Sequence, residues 1–215
     1  MAATTATTEQ AFHRCAQFLQ DLHRLIAAQQ EESDEAEALR AEMDPLWYAM
    51  TAEEQGRLGG LSEDLHVLAE GGAKQVVMSS EENARWTAEA NKVLPLIFTG
   101  QDVNAALKFL RRPSPADRLP HIVPFLQARC WERLGEEEVS LQFMKEAERL
   151  DPRQAVCVLN ILEKLGRAPE AAQYAERIIE NPSSSGEELY QAAATLLQQA
   201  RRMRRAEARP QLLPT

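Results

Sequence analysis

Apolar residues recur along this chain at helical spacing. Phe12, Cys15, Leu19, Leu22 and Ile26 follow one another at intervals of three, four, three and four, with Phe18 and Leu25 beside them. This pattern predicts an amphipathic helix from near Thr8, capped by Thr7 or Thr8, with residues 1–7 disordered. The seam stops at the acidic run 29–35. Ala36, Leu39 and Met43 then resume a weaker stripe, which Asp44-Pro45 should end because proline disfavours helix in the residue before it. Thr51 and Glu54 stand at capping-box spacing, so a new helix is expected there. Leu58, Leu61, Leu65 and Leu68 repeat the three, four, three rhythm and make this helix the expected partner of the first seam. Gly59-Gly60 is a candidate break within it, and Trp47 and Tyr48 are placed to plug the end of the hairpin.

Beyond the connector GGAKQVVM, Ser79 or Ser80 should cap a helix carrying Trp86, Val93 and Phe98. Pro95 lies inside it and is expected to kink or divide it. A shorter helix over 103–111 precedes RRPSPADRLP, where Ser114-Pro115 has the form of a cap with proline in the first turn. The central stretch is the most regular. Phe125, Ala128, Trp131 and Leu134 form one stripe, Val139, Met144, Ala147 and Leu150 another, and Gly135 stands between them. Glu136, Glu137 and Glu138 favour the start of the second helix through its dipole, and Asp151-Pro152 ends it. Further helices are expected over 153–165 and 168–180. A last helix from Gly186 or Glu187 to about Arg205 has Leu189, Ala193, Leu196, Ala200 and Met203 on one side. Runs of alternating β-branched residues are nearly absent, so the expected fold class is all-α.

The hairpin centred on Gly135 has a small residue at Ala128, an aromatic at Trp131, an alanine at Ala147 and a proline at Pro152. Gly100, Ala105, Phe109 and Pro113 echo it upstream, and Gly166, Ala171, Tyr174, Ala175 and Pro182 downstream. Their glycines lie 35 and 31 residues apart. Over about residues 80–182 this resembles the tetratricopeptide (TPR) repeat, whose period is about 34. The resemblance implies a right-handed TPR-like α-α superhelix whose first helices line a concave, partner-binding face. It would be preceded by an N-terminal helical hairpin and closed by a C-terminal capping helix. We therefore expect residues 1–75 to form an acidic helical hairpin region, 76–205 the repeats with their closing helix, and 206–215 a disordered tail.

The 215 residues carry a formal net charge of −9, unevenly spread: 1–90 hold 17 acids and 6 bases, 91–215 hold 16 and 18. Such a chain lacks the broad positive field that draws nucleic acid, so nucleic acid is not an expected partner. Arg201, Arg202, Arg204, Arg205 and Arg209 read first as complements to the dipole at a helix C-terminus. Cys15, Cys130 and Cys157 lack paired spacing and read as reduced core thiols of a cytoplasmic protein. The start MAATTATTEQ has neither the basic nor the apolar region of an export signal, and no apolar run approaches membrane length.

Candidate chemistry is sparse. Glu63 and His66 form an E-x-x-H, half of a di-iron carboxylate constellation, and the only echo, Gln20-Asp21-Leu22-His23, has glutamine at the ligand position. No nucleophile elbow, P-loop or dinucleotide turn is present, so we assign no catalytic, cofactor or metal residue and expect no enzyme. The resemblance instead implies a protein-protein interaction scaffold that binds a peptide or helical segment. Its concave face would present Phe125, Arg129, Glu132, Arg133, Val156, Asn160 and Lys164. Three cations among these point to an acidic or mixed acidic and apolar partner, with Phe125 as the apolar contact. The acidic segment 31–43, with Leu39 and Met43 at helical spacing, is a candidate for occupying that face in cis. The alternatives are a helical-bundle metal protein or enzyme using Glu63 and His66, and a structural homodimer formed through the Phe12 to Ile26 seam.

Overall fold

The computed structural model describes residues 2–72 and 74–208, with side chains for 9–72 and 74–204. The described residues are all-α apart from a two-residue ladder. The helices are α1 (Ala2–Ala27), α2 (Asp34–Ala49), α3 (Ala52–Ala69), α4 (Ser80–Thr99), α5 (Val103–Leu110), α6 (Ile122–Arg133), α7 (Glu137–Leu150), α8 (Ala155–Lys164), α9 (Ala168–Glu180) and α10 (Gly186–Ala208). A 3-10 turn, Pro152–Gln154, leads into α8.

Helices α2 and α3 pack on α1, α4 pairs with α5, α6 with α7 and α8 with α9, and α10 lies against α9 and α8. The pattern of apolar positions explains these pairings. Phe12, Cys15 and Leu19 are buried, as are Leu58, Leu61 and Leu65. A fully buried side chain of this size is worth about 1.5–3 kcal/mol. The three later hairpins each turn on a left-handed glycine, Gly100, Gly135 and Gly166, at φ of 71°, 80° and 69°. Glycine meets this backbone without the Cβ clash that other residues suffer. Thr51 and Ser79 form the reciprocal capping boxes with Glu54 and Glu82.

One hydrophobic cluster runs from Ala11 through Trp131 to Ala192. The boundary expected near residue 75 therefore separates no independent cores. Polar ties cross it too: His13 Nδ1 lies 2.6 Å from Glu136 Oε1, and Gln142 donates to Gln20 at 2.9 Å. The covered Phe12, Cys15 and Leu19 leave mainly Ile26, 40% exposed, of the seam facing outward.

Several local expectations are corrected. Helix α1 already begins at Ala2, so the helical backbone includes most of the stretch expected to be disordered. Pro45 lies inside α2, where it removes one backbone bond while Leu46, the next residue, packs against the core. Pro95 likewise leaves α4 undivided, because Ala90 and Ile97, buried on either side of it, anchor both halves. Gly59-Gly60 does not break α3. Ser114-Pro115 is not a helix cap but a strand, β2, paired in parallel with β1 (Gln75–Val76). Tyr48 is 84% exposed and plugs nothing, and Met50 is buried there instead. Helix α10 extends to Ala208, and the rest of the tail expected at 206–215 lies outside the described residues. Among the described residues no helix is long and apolar enough to cross a membrane.

Candidate functional site

The sequence-expected face becomes a groove of about 810 Å³. Helix α6 turns Arg129, Glu132 and Arg133 into it, residues three and four apart and hence on one helical face. Helix α8 adds Cys157, Asn160, Ile161 and Lys164 by the same spacing, and the end of α4 adds Ile97 and Phe98. The fourth wall is α10, through Thr195, Gln198, Gln199 and Arg202. Ala171 of α9 and Ile161 give it apolar floor, and Phe98, 61% exposed, gives it an apolar rim.

Glu132 sits at the electrostatic centre with its side chain only 15% exposed. It accepts from Arg129 Nη1 at 2.6 Å and from Lys164 Nζ. Burial alone would raise its carboxyl, but Lys164 and Arg129 outweigh that and hold it below the ordinary carboxylate value. Among the described residues Arg133 makes no such pair, and it donates to the Phe98 carbonyl at 3.2 Å. Helix α10 is tied down by polar bonds: Thr195 Oγ1 donates to Glu163 at 2.6 Å, Gln191 donates to Asn160, and Gln199 donates to the Ala168 carbonyl. The lining thus holds four cations, Arg129, Arg133, Lys164 and Arg202, against two carboxylates, Glu132 and Glu163.

Arg129, Glu132, Arg133, Asn160 and Lys164 come together as expected, whereas Phe125 and Val156 do not line the groove. Both pack partly buried against the core, and Phe125 meets the site only through the Arg129 guanidinium, 5.8 Å above its ring. Sequence reasoning missed Phe98 and the α10 wall. Thr195, Gln198, Gln199 and Arg202 do recur at three, four and seven from the first, a polar stripe that reads in isolation as a solvated face. The segment 31–43 is not in the groove. Ala36 is buried, Met43 packs on the core, and Arg14 of α1 holds Glu42 at 3.2 Å, so its apolar stripe is already spent on α1. Cys157, expected in the core, is a half-buried groove residue whose thiol burial pushes up.

Glu63 and His66 point to solvent, with side chains 71% and 67% exposed, and His66 lies 3.3 Å from Glu70. Among the described residues no group of three His, Cys, Asp or Glu side chains is arranged to hold a metal ion. The buried acid of that motif is Asp64, which sequence reasoning passed over. It takes Arg111 Nε at 2.7 Å, Arg111 Nη2 at 3.0 Å and Trp131 Nε1 at 3.2 Å. Cys130 lies nearby in the same interior, its thiol pushed up to about 12 by burial and by the Asp64 charge.

No family model, curated protein or solved structure matches this chain.

Proposed function

We propose that this chain is a cytoplasmic, non-catalytic interaction module of TPR-like helical hairpins, and that it receives an acidic and apolar segment of another protein between α4, α6, α8 and α10. The observation that carries this reading is the groove itself: four cations against two carboxylates, beside the exposed apolar Phe98, in a chain of net charge −9. Local surplus of one sign in a chain of the other gives charge complementarity and orientation to an incoming segment. Binding of this kind weakens with salt, since exposed charges are screened over about 8 Å at physiological ionic strength.

The test compares affinity capture from native extract by the wild type with capture by Phe98→Glu and by Arg133→Glu, each checked by thermal melting. Both positions are exposed, so folding should survive. Loss of the same captured proteins in both variants is expected. Undiminished capture by both would place the interaction elsewhere.

A further inference from the structure

Four cations line the groove, but they are not equally available. Glu132 holds both Arg129 and Lys164, and its lowered carboxyl keeps it charged at neutral pH. Arg133 and Arg202 have no carboxylate within ion-pair distance among the described residues. Resting on the groove reading above, we infer that Glu132 is a built-in occupant of the Arg129 and Lys164 pair, and that the partner's carboxylates are therefore selected by Arg133 from α6 and Arg202 from α10.

This assigns α10 a recognition role besides closing the stack. Thr195, Gln191 and Gln199 fix α10 against Glu163, Asn160 and Ala168, which holds Arg202 on the wall facing α6. With the helix so anchored, the Arg202 guanidinium extends from a fixed backbone and can donate bidentately to a carboxylate. The partner chemistry that fits is a short segment with two carboxylates flanking apolar residues. The carboxylates meet Arg133 and Arg202, and the apolar residues lie on Phe98. A third carboxylate would compete with Glu132 and gain little.

A displayed library of peptides with Asp, Asn, Leu and Ala randomised at every position tests this directly. Wild type should enrich peptides with two acidic positions around leucine. Arg202→Gln should weaken an enriched peptide about tenfold, the scale of one charge-assisted contact. Glu132→Gln, which removes the charge and leaves one acceptor oxygen where Arg129 and Lys164 use two, should instead tighten acidic peptides about tenfold and shift the enriched set toward three or more acids. Enrichment by wild type with no change in either variant would overturn this assignment and leave the groove reading standing. Failure of the folded wild type to enrich any acidic peptide would overturn both.

Discussion

Asp64 on α3 and Arg111 at the end of α5 form a two-pronged ion pair inside the molecule, with Nε to Oδ1 at 2.7 Å and Nη2 to Oδ2 at 3.0 Å. The Asp64 side chain is 0% exposed and that of Arg111 21%. Gly60, one turn earlier on α3, makes the approach feasible: a Cβ there would fall well inside contact with the guanidinium. Trp131 of α6 donates to the same carboxylate, so one acid ties three helices together. Burial pushes Asp64 up, against the pull of Arg111 and Trp131.

The two partners should fail unequally. Arg111→Met leaves a buried carboxylate with only Trp131 and should cost about 3–5 kcal/mol by denaturant unfolding. Asp64→Leu leaves an arginine that still has Glu63 at 3.9 Å and an outlet to solvent, so it should cost less. The double variant should be more stable than Arg111→Met alone. Because the Asp64 carboxyl lies above its ordinary value when folded, its proton favours the folded state, so Arg111→Met should regain stability as the pH falls through that raised value. A variant whose deficit grows on acidification would contradict this sign.

Trp131→Ala should cost about 3–5 kcal/mol, since the ring is 0% exposed and its loss leaves a cavity. Trp131→Phe retains most of the packing but removes the donor to Asp64, so a loss of about 1–3 kcal/mol is expected from that change. Trp131→Phe melting like the wild type would mean that the hydrogen bond contributes nothing beyond the volume.

Gly135→Ala places a Cβ on a backbone at φ 80°, at a cost of about 1–2 kcal/mol. The nearest atom to that Cβ, His13 Cε1 at 3.7 Å, is in ordinary contact, so the penalty should come from the backbone alone. Gly100→Ala and Gly166→Ala, with nothing near and similar φ, should therefore match it in thermal melts.

Asp151 accepts from the Arg153 side chain and backbone at the start of the 3-10 turn, and these bonds hold its carboxyl down at about 2 against the opposing effect of burial. A depressed carboxyl stabilises the fold above its ordinary pKa of 3.8 and loses that contribution as the pH falls from there through about 2. Asp151→Asn should melt lower than wild type at neutral pH, and the difference should shrink through that acid window. A difference independent of pH would remove the carboxylate's charge from the explanation.

Deleting residues 186–215 should make the protein aggregate, because α10 covers α9 and contributes the buried Ala192. A helical stack needs a polar outer layer at its end. The truncation should register as multi-angle light scattering above monomer mass. Ile179, 43% exposed with α10 in place, takes no part in this.

The sequence by itself determined most of the helices and their turns, because those depend on spacing within one helix and on backbone conformations that few residues tolerate. The leucine stripe of α3, the Thr51 box, a cap at Ser79 or Ser80 and the glycines at the turns of the three hairpins were all legible in this way. So was most of the α6 and α8 face, since residues three and four apart on a helix must share a side. Only the tertiary structure decided which charges are spent and which are free. Glu132 was one acid in a basic patch until Arg129 and Lys164 converged on it. Asp64 was an unremarked neighbour of Glu63 until Gly60 let Arg111 reach it from 47 residues away. Arg202 was a helix-end cation until α10 folded back to face α6. Charge pairing depends on distance in space, and a one-dimensional pattern gives direction around a helix without saying which other helix lies opposite.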